Sequence, residues 1–229
     1  MKAQHTFKFW IREALKGALP AGGWERLDRA RRWRYYRRAG AVFIHVPKAA
    51  GSSIATALYG RRLGHHPARE LMQEDPASWA ALRKFSVLRE PVARFLSAYA
   101  YALGGGTREG AIRWRAEYDD PALRDVNAFV LDYLARGELR GKDVVFWPQS
   151  HFVLDAQGGT VPDLALFSTA DPEPLAACLA SLGCAVPARV NRGQDAARLR
   201  RELGADARRR LEAIYAADFA LYRGLGAQP

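Results

Sequence analysis

The chain has 229 residues, of which 49% are hydrophobic, 26% are charged and two are cysteines, and its formal net charge is +11. That length and apolar content suit one enzyme-sized domain and exclude a disordered tail or a small disulfide-stapled module. The positive balance implies anionic partners, and the scarcity of cysteine makes a reducing compartment the expectation.

The first twenty residues, MKAQHTFKFWIREALKGALP, have Lys8, Arg12, Glu13 and Lys16 interrupting their apolar positions, so no signal-peptide core and no transmembrane segment is expected there. Residues 24–38, WERLDRARRWRYYRR, hold seven arginines interleaved with Trp24, Trp33, Tyr35 and Tyr36. Leu27, Ala30, Trp33 or Arg34, and Arg37 fall near one helical face, which reads as a solvated amphipathic helix beside the core. Peripheral contact with an anionic glycan or lipid surface is the next reading. Specific nucleic-acid binding, which also uses arginine with aromatics, is the least favoured. Residues 1–40 are thus read as a helical, basic extension and 41–229 as the core of a single domain.

Residues 41–60, AVFIHVPKAAGSSIATALYG, carry the strongest signal. Val42, Phe43, Ile44 and Val46 read as a buried parallel strand, Pro47 to Gly51 as a tight loop, and Ser52 or Ser53 as the opening of a helix. Unpaired amides in such a first turn, with the helix dipole and the charge of Lys48, form a natural anion seat. The spacing departs from the ATP-binding G-x-x-x-x-G-K-[ST] pattern, because Lys48 precedes Gly51. Residues 60–70, GRRLGHHPARE, bring His65 and His66 side by side, and residues 68–83 read as helical pieces around Pro76.

Residues 85–101, FSVLREPVARFLSAYAY, repeat the strand-to-helix pattern. A strand from Phe85 to Leu88 stops at Arg89, and Pro91 takes the first position of a helix whose Val92, Phe95, Leu96 and Tyr99 form one apolar face. Ser97 lies roughly two turns into that helix at about 3.6 residues per turn. Arg89 and Ser97 therefore meet on one ligand only if it lies alongside the helix. GGGTREG at 104–110 is a flexible break, and 121–136 reads as one amphipathic helix from Pro121 to the Gly137 stop. The 144–167 stretch suggests loops and strands, Asp163 to Phe167 a further parallel strand, and Pro172 to Leu182 a helix containing Cys178 as a small buried apolar residue. Residues 205–225 read as one closing helix with Leu211, Ile214, Tyr215, Phe219 and Leu221 or Tyr222 inward. The fold class that follows is α/β: a P-loop-like single domain with a central parallel sheet flanked by helices, and with ligand at the strand C-terminal ends.

Together, PKAAGSSI and the RxPxxRxxSxY pattern from Arg89 to Tyr99 resemble the nucleotide-binding signatures of sulfotransferases that use 3′-phosphoadenosine 5′-phosphosulfate (PAPS), most closely the carbohydrate family-2 type. The resemblance covers residues 41 to about 101, and Ala49 and Ser52 stand where that family's PKTAGTS loop has threonines. It implies that Lys48, Ala49, Ala50, Gly51, Ser52 and Ser53 hold the 5′-phosphosulfate, that Arg89 and Ser97 hold the 3′-phosphate, and that the product is 3′-phosphoadenosine 5′-phosphate (PAP). The acceptor would be a hydroxyl of a carbohydrate or related molecule.

Sulfuryl transfer needs a group to take the hydroxyl proton and a cation to meet charge on the departing oxygen, roles for which His65 and Lys48 are the candidates. His65, Ala68 and Glu70 fit the family's His-x-x-Ala pattern with a nearby acid. His66 is the adjacent alternative, and Glu70, Glu74 and Asp75 are runner-up bases. By the same resemblance Pro148 and Gln149 match a Pro-Gln step, so that Gln149 or His151 could touch ligand, and Asn191 and Arg192 are carried over as nucleotide contacts. No metal is expected: His65 and His66 are adjacent, Cys178 and Cys184 stand six apart, and no ligand spacing matches a common site. The family's eukaryotic members are typically membrane-anchored in the Golgi, so the charged start here leads to the expectation of a bacterial cytoplasmic form. A small-molecule kinase with a variant phosphate loop and a non-catalytic basic module for an anionic polymer are the competing readings.

Overall fold

In a computed structural model, three short apolar runs pair side by side, with helices among the described residues between them. The structure describes residues 23–104, 120–185 and 196–226. The expectations for the first twenty residues, for Asn191 and Arg192 and for most of the glycine break lie outside the described residues. The elements are α1 (Gly23–Ala39), β1 (Ala41–Ile44), α2 (Gly51–Tyr59), α3 (Ala68–Glu74), α4 (Pro76–Ala81), β2 (Arg83–Leu88) and α5 (Pro91–Leu103). Beyond these come α6 (Ser150–Val153), β3 (Leu164–Ser168), α7 (Glu173–Ser181), α8 (Ala196–Glu202), α9 (Ala205–Ile214) and α10 (Ala216–Gly226).

The sheet is fully parallel in the order β1-β2-β3. The fold is therefore the expected α/β domain, with a parallel sheet flanked by helices. Phe43 pairs with Phe85 and Phe85 with Ala165, so the central strand is covered from both edges. Its side chains are buried from Lys84 to Leu88, and Ser86 spends its hydroxyl on the Ile44 carbonyl at 2.9 Å. β1 ends opposite Ser86, whereas β2 continues to Leu88 opposite Ser168. The chain after Ile44 thus peels away while β2 still runs on, which sets the next loop at the C-terminal end of the sheet.

Two apolar clusters hold the molecule. The first joins the sheet to α1 through Trp33 and Tyr36, and to α2 through Ile54, Ala55 and Tyr59. The second is wholly helical and gathers Phe95, Tyr99, Phe129, Phe146, Leu211 and Tyr215. Each fully buried Phe or Leu in these clusters stabilises the fold by about 1.5–3 kcal/mol.

Three local expectations are corrected. α1 buries Arg32, Trp33 and Tyr36, while Leu27, Ala30, Arg34 and Arg37 are exposed. Aromatic packing overrides the aliphatic spacing, and Arg32 can be buried because Glu74 accepts two hydrogen bonds from it at 2.9 and 2.7 Å. Residues 121–136 do not form one helix. A 3₁₀ turn (Pro121–Arg124) stops at extended Asp125, whose carboxylate accepts from the Asn127 and Ala128 amides and starts a new turn (Val126–Ala128) that widens into a π-helix (Phe129–Leu134). That widening lets Phe129, Val130, Tyr133 and Leu134 all enter the second cluster. The closing helix is likewise two, α9 and α10, broken at Tyr215, whose buried hydroxyl donates to the Phe146 carbonyl at 2.6 Å.

Candidate anion site at the sheet edge

The loop after β1 is built on two residues in the left-handed region, Lys48 (φ 65°) and Ala50 (φ 62°). Neither is glycine, so each holds a conformation that costs roughly 1–2 kcal/mol for an L-residue. The turn carries the chain into α2 at Gly51. Here the expectation that Ser52 or Ser53 opens the helix is corrected: Ala50 occupies the cap position, no side chain caps α2, and its first turn holds no acidic residue. The leading amides of α2, Gly51, Ser52 and Ser53, have no acceptor within the helix, and its first turn brings no acidic residue to the positive end of its dipole.

Gly51 is required by space rather than by its dihedral angles. A Cβ there would lie 2.2 Å from Cδ2 of His45. His45 is the residue that sequence reasoning missed. Its ring stacks on Phe43 at 5.9 Å and meets the ring of His65 at 4.2 Å, so the floor of the loop is two packed imidazoles. Burial, then the proximity of His65 and Arg62, lowers the His45 pKa to about 3 and keeps it neutral. The only sequence signal was its place at the strand end, directly before Val46-Pro47-Lys48.

Lys48 extends from this loop until Nζ lies 4.3 Å from the ring centre of Tyr101 on α5. Burial, reinforced by the charge of Arg89, lowers its pKa to about 8. Arg89 stands just beyond β2, and its Nη1 comes within 3.5 Å of the Lys48 carbonyl. The side chain of Gln149 receives the Arg89 amide at 2.9 Å on Oε1 and donates from Nε2 to the Arg89 carbonyl at 2.8 Å. Gln149 is itself anchored, because Asp218 of α10 accepts from the Gln149 and Ser150 amides at 2.8 and 2.9 Å. Behind Asp218 lies the fully buried Arg94, Nη2 to Oδ2 3.9 Å. Gln149 thus positions Arg89; neither it nor the Asp218–Arg94 pair was legible as such in the sequence.

Ser97 is half-buried and lies one turn before Tyr101 on α5. Lys48 meets Tyr101, and the four-residue spacing puts Ser97 on the same side of α5 as that ring. Beyond the amide end, α5 is closed: Glu90 accepts from the Val92 and Ala93 amides, both at 2.9 Å.

The adjacent histidines separate. His65 donates from Nδ1 to the His45 carbonyl at 2.7 Å, which fixes its tautomer and leaves Nε2 to accept a proton. Burial lowers its pKa, opposed by that hydrogen bond, with Arg62 and Lys48 lowering it further and Asp143 raising it. His66 points elsewhere, with Nε2 3.0 Å from Arg32 Nη1 and 3.1 Å from the Leu63 carbonyl. It belongs to the α1 contact and not to the loop. Glu74 is engaged by Arg32 and by Trp33 Nε1 at 3.3 Å, Asp75 caps α4 and pairs with Arg37, and Glu70 is exposed. His151 is held by Arg69, Nη2 to Nδ1 3.3 Å, and burial lowers its pKa to about 4.

The groups gathered at this end of the sheet are cations and hydrogen-bond donors: a helix start without a side-chain cap, Lys48 in the loop before it, and Arg89 just past the next strand end, a set suited to an anion. No three His, Cys, Asp or Glu side chains gather as metal ligands among the described residues. No helix among them is long and apolar enough to cross a membrane. No protein-family model, curated protein or solved structure matches the chain.

Proposed function

We propose that the protein is a sulfotransferase that moves the sulfuryl group of PAPS to a hydroxyl of a carbohydrate or related acceptor, releasing PAP. The observation that carries this reading is the convergence of Lys48, the uncapped start of α2 and Arg89 at one end of the sheet. In this reading the Gly51 to Ser53 amides and Lys48 receive the 5′-phosphosulfate, with Ala49 and Ala50 shaping the turn, and Arg89 with Ser97 receives the 3′-phosphate. PAPS supplies an activated S–O bond to a phosphate leaving group.

The acceptor oxygen forms a new bond to sulfur as the bond from sulfur to the bridging phosphate oxygen breaks. His65 Nε2 takes the hydroxyl proton, while the His45 carbonyl on Nδ1–H keeps the ring oriented and supports the imidazolium that forms. Lys48 meets the negative charge that grows on the departing oxygen. Burial holds the His65 pKa below that of an ordinary imidazole, which favours the unprotonated form at neutral pH.

Calorimetric titration with PAP, adenosine 5′-phosphate and ATP, with and without Mg²⁺, tests the reading. PAP binding that ignores Mg²⁺ and is lost with the 3′-phosphate is expected, whereas Mg²⁺-dependent ATP binding without PAP binding would favour the kinase reading. His65→Ala is expected to leave PAP affinity intact and to lower turnover by about 10²–10⁴-fold.

A further inference from the structure

α1 presents two differently balanced sides. Arg29 and Arg32 are paired with Glu74 and Arg37 with Asp75. Arg31 and Arg38 lie on another side of the helix with Tyr35 between them, at spacings of four and three residues, and no carboxylate among the described residues pairs with either. This second side borders a cavity of about 430 Å³ lined by Tyr35, Arg38, Leu58, Tyr59, Leu182 and Cys184. That volume is within the range of roughly 300–1,000 Å³ used by small-molecule sites.

The lining mixes apolar side chains with polar and cationic ones. Tyr59 has spent its hydroxyl on β1, accepting from the Phe43 amide at 2.8 Å and donating to the Ala41 carbonyl at 3.1 Å, so it offers the cavity only its ring. Leu58 and Leu182 add aliphatic surface. Arg61, just past the end of α2, stacks on Tyr35 with its guanidinium carbon 5.6 Å from the ring centre, and it too lacks a carboxylate partner among the described residues. Arg61 and Arg31 both act on the Tyr35 hydroxyl and hold its pKa below the usual phenol range. Arg61 and Arg31 thus flank Tyr35, and Arg38, three residues further along α1, lines the recess beside it.

The recess is at the far end of the sheet from Lys48. α1 and α2 both finish there, at Ala39 and Tyr59, and α2 runs roughly 13 Å from its start beside the loop at about 1.5 Å per residue. A molecule seated in it would not present a hydroxyl to the loop after β1.

We propose that this recess is a second binding site, for an organic anion whose aromatic or acyl body packs on Leu58, Tyr59 and Leu182 and whose sulfate, sulfonate, phosphate or carboxylate lies among Arg31, Arg38 and Arg61. The proposal is independent of the chemistry assigned to Lys48. Contact with these side chains and the charge of the guanidinium groups act together, and the guanidinium groups select for an anion.

The test is fluorescence titration of the full chain with 8-anilinonaphthalene-1-sulfonate, an aromatic sulfonate of suitable size. One saturable site is expected, weakened at least tenfold in the Arg38→Ala/Arg61→Ala variant and in Leu58→Trp, which fills the recess, and unchanged in Lys48→Ala/Arg89→Ala. The Arg38→Lys/Arg61→Lys variant, which keeps both charges, should recover part of the loss. Near-ultraviolet circular dichroism identifies any variant that has lost its fold. Affinity unmoved by both the arginine and the Leu58 changes, affinity lost instead with Lys48 and Arg89, or equal binding of neutral N-phenyl-1-naphthylamine would each overturn the proposal.

Discussion

The two strand-to-helix junctions of the sheet solve the same local problem in opposite ways. After β2, the chain enters α5 with Pro91 at the first helical position and the Glu90 carboxylate on two leading amides, and Gln149 secures both backbone groups of Arg89. After β1, the chain enters α2 through two left-handed residues, with no side-chain cap and no acidic residue in the first turn. The first turn of α5 is capped by its own Glu90 side chain; that of α2 has no side-chain cap, and the Lys48 ammonium before it lies half-buried against Tyr101. Under the proposed function the difference would give distinct means of recognition: main chain plus lysine at the first junction, and an arginine side chain at the second.

The largest effect should come from the uncapped junction. Lys48→Ala is expected to lower turnover by about 10²–10³-fold, the size seen when a group stabilising transition-state charge is removed, with little change in melting temperature. A steady-state assay paired with thermal melts checks both halves. Next, Gly51→Ala drives a Cβ into the His45 ring and should destabilise the fold by about 1–3 kcal/mol while weakening PAP binding, measurable by urea unfolding and calorimetry.

At the second junction Gln149→Leu removes the clamp on the Arg89 backbone. It should cost about 1–3 kcal/mol of stability for the buried groups left unpaired, and it should erode the preference for PAP over adenosine 5′-phosphate. If that preference survives while stability falls, Gln149 does not position Arg89 for binding.

The depressed pKa of Lys48 gives a pH signature. Below about 8 the lysine is charged with or without ligand, so affinity is flat. Above it the unliganded lysine loses its proton, and an anion that favours the ammonium must draw one back. PAP affinity should therefore fall as pH rises past about 8, by up to about tenfold per unit, and Lys48→Arg should flatten the profile. The smallest effect is that of Ala50→Gly, which relieves a left-handed alanine and should leave stability unchanged or raise it by up to about 1 kcal/mol.

Both junctions were legible in the sequence because each joins an apolar run to a residue type with a distinct backbone role: Pro91 to start α5, and small residues to turn after Lys48. The β3 strand and α7 were legible for the same reason. What was hidden depends on contacts distant in sequence. His65 and His66 are equivalent as neighbours in a loop and differ only because His45 and Arg32 lie on opposite sides of it. Gln149 read as an ordinary loop polar residue or, by resemblance, a ligand contact, since nothing local shows that its amide meets Arg89. The helix expected at 121–136 failed at Asp125, a residue tolerated in a helix surface but better used as a cap, and the break at Tyr215 follows from a hydrogen bond to Phe146 that no periodicity encodes.

The central claim is that the two junctions each hold one phosphate of the same nucleotide. ³¹P NMR of PAP tests it directly, because the 5′- and 3′-phosphorus resonances report separately. In the native protein both resonances should shift on binding. Lys48→Ala should diminish the shift of the 5′ resonance and spare the 3′, and Arg89→Ala should do the reverse. Equal loss of both shifts in either variant without loss of binding, or no shift of either resonance in the native protein, would contradict the division of labour between the two strand ends.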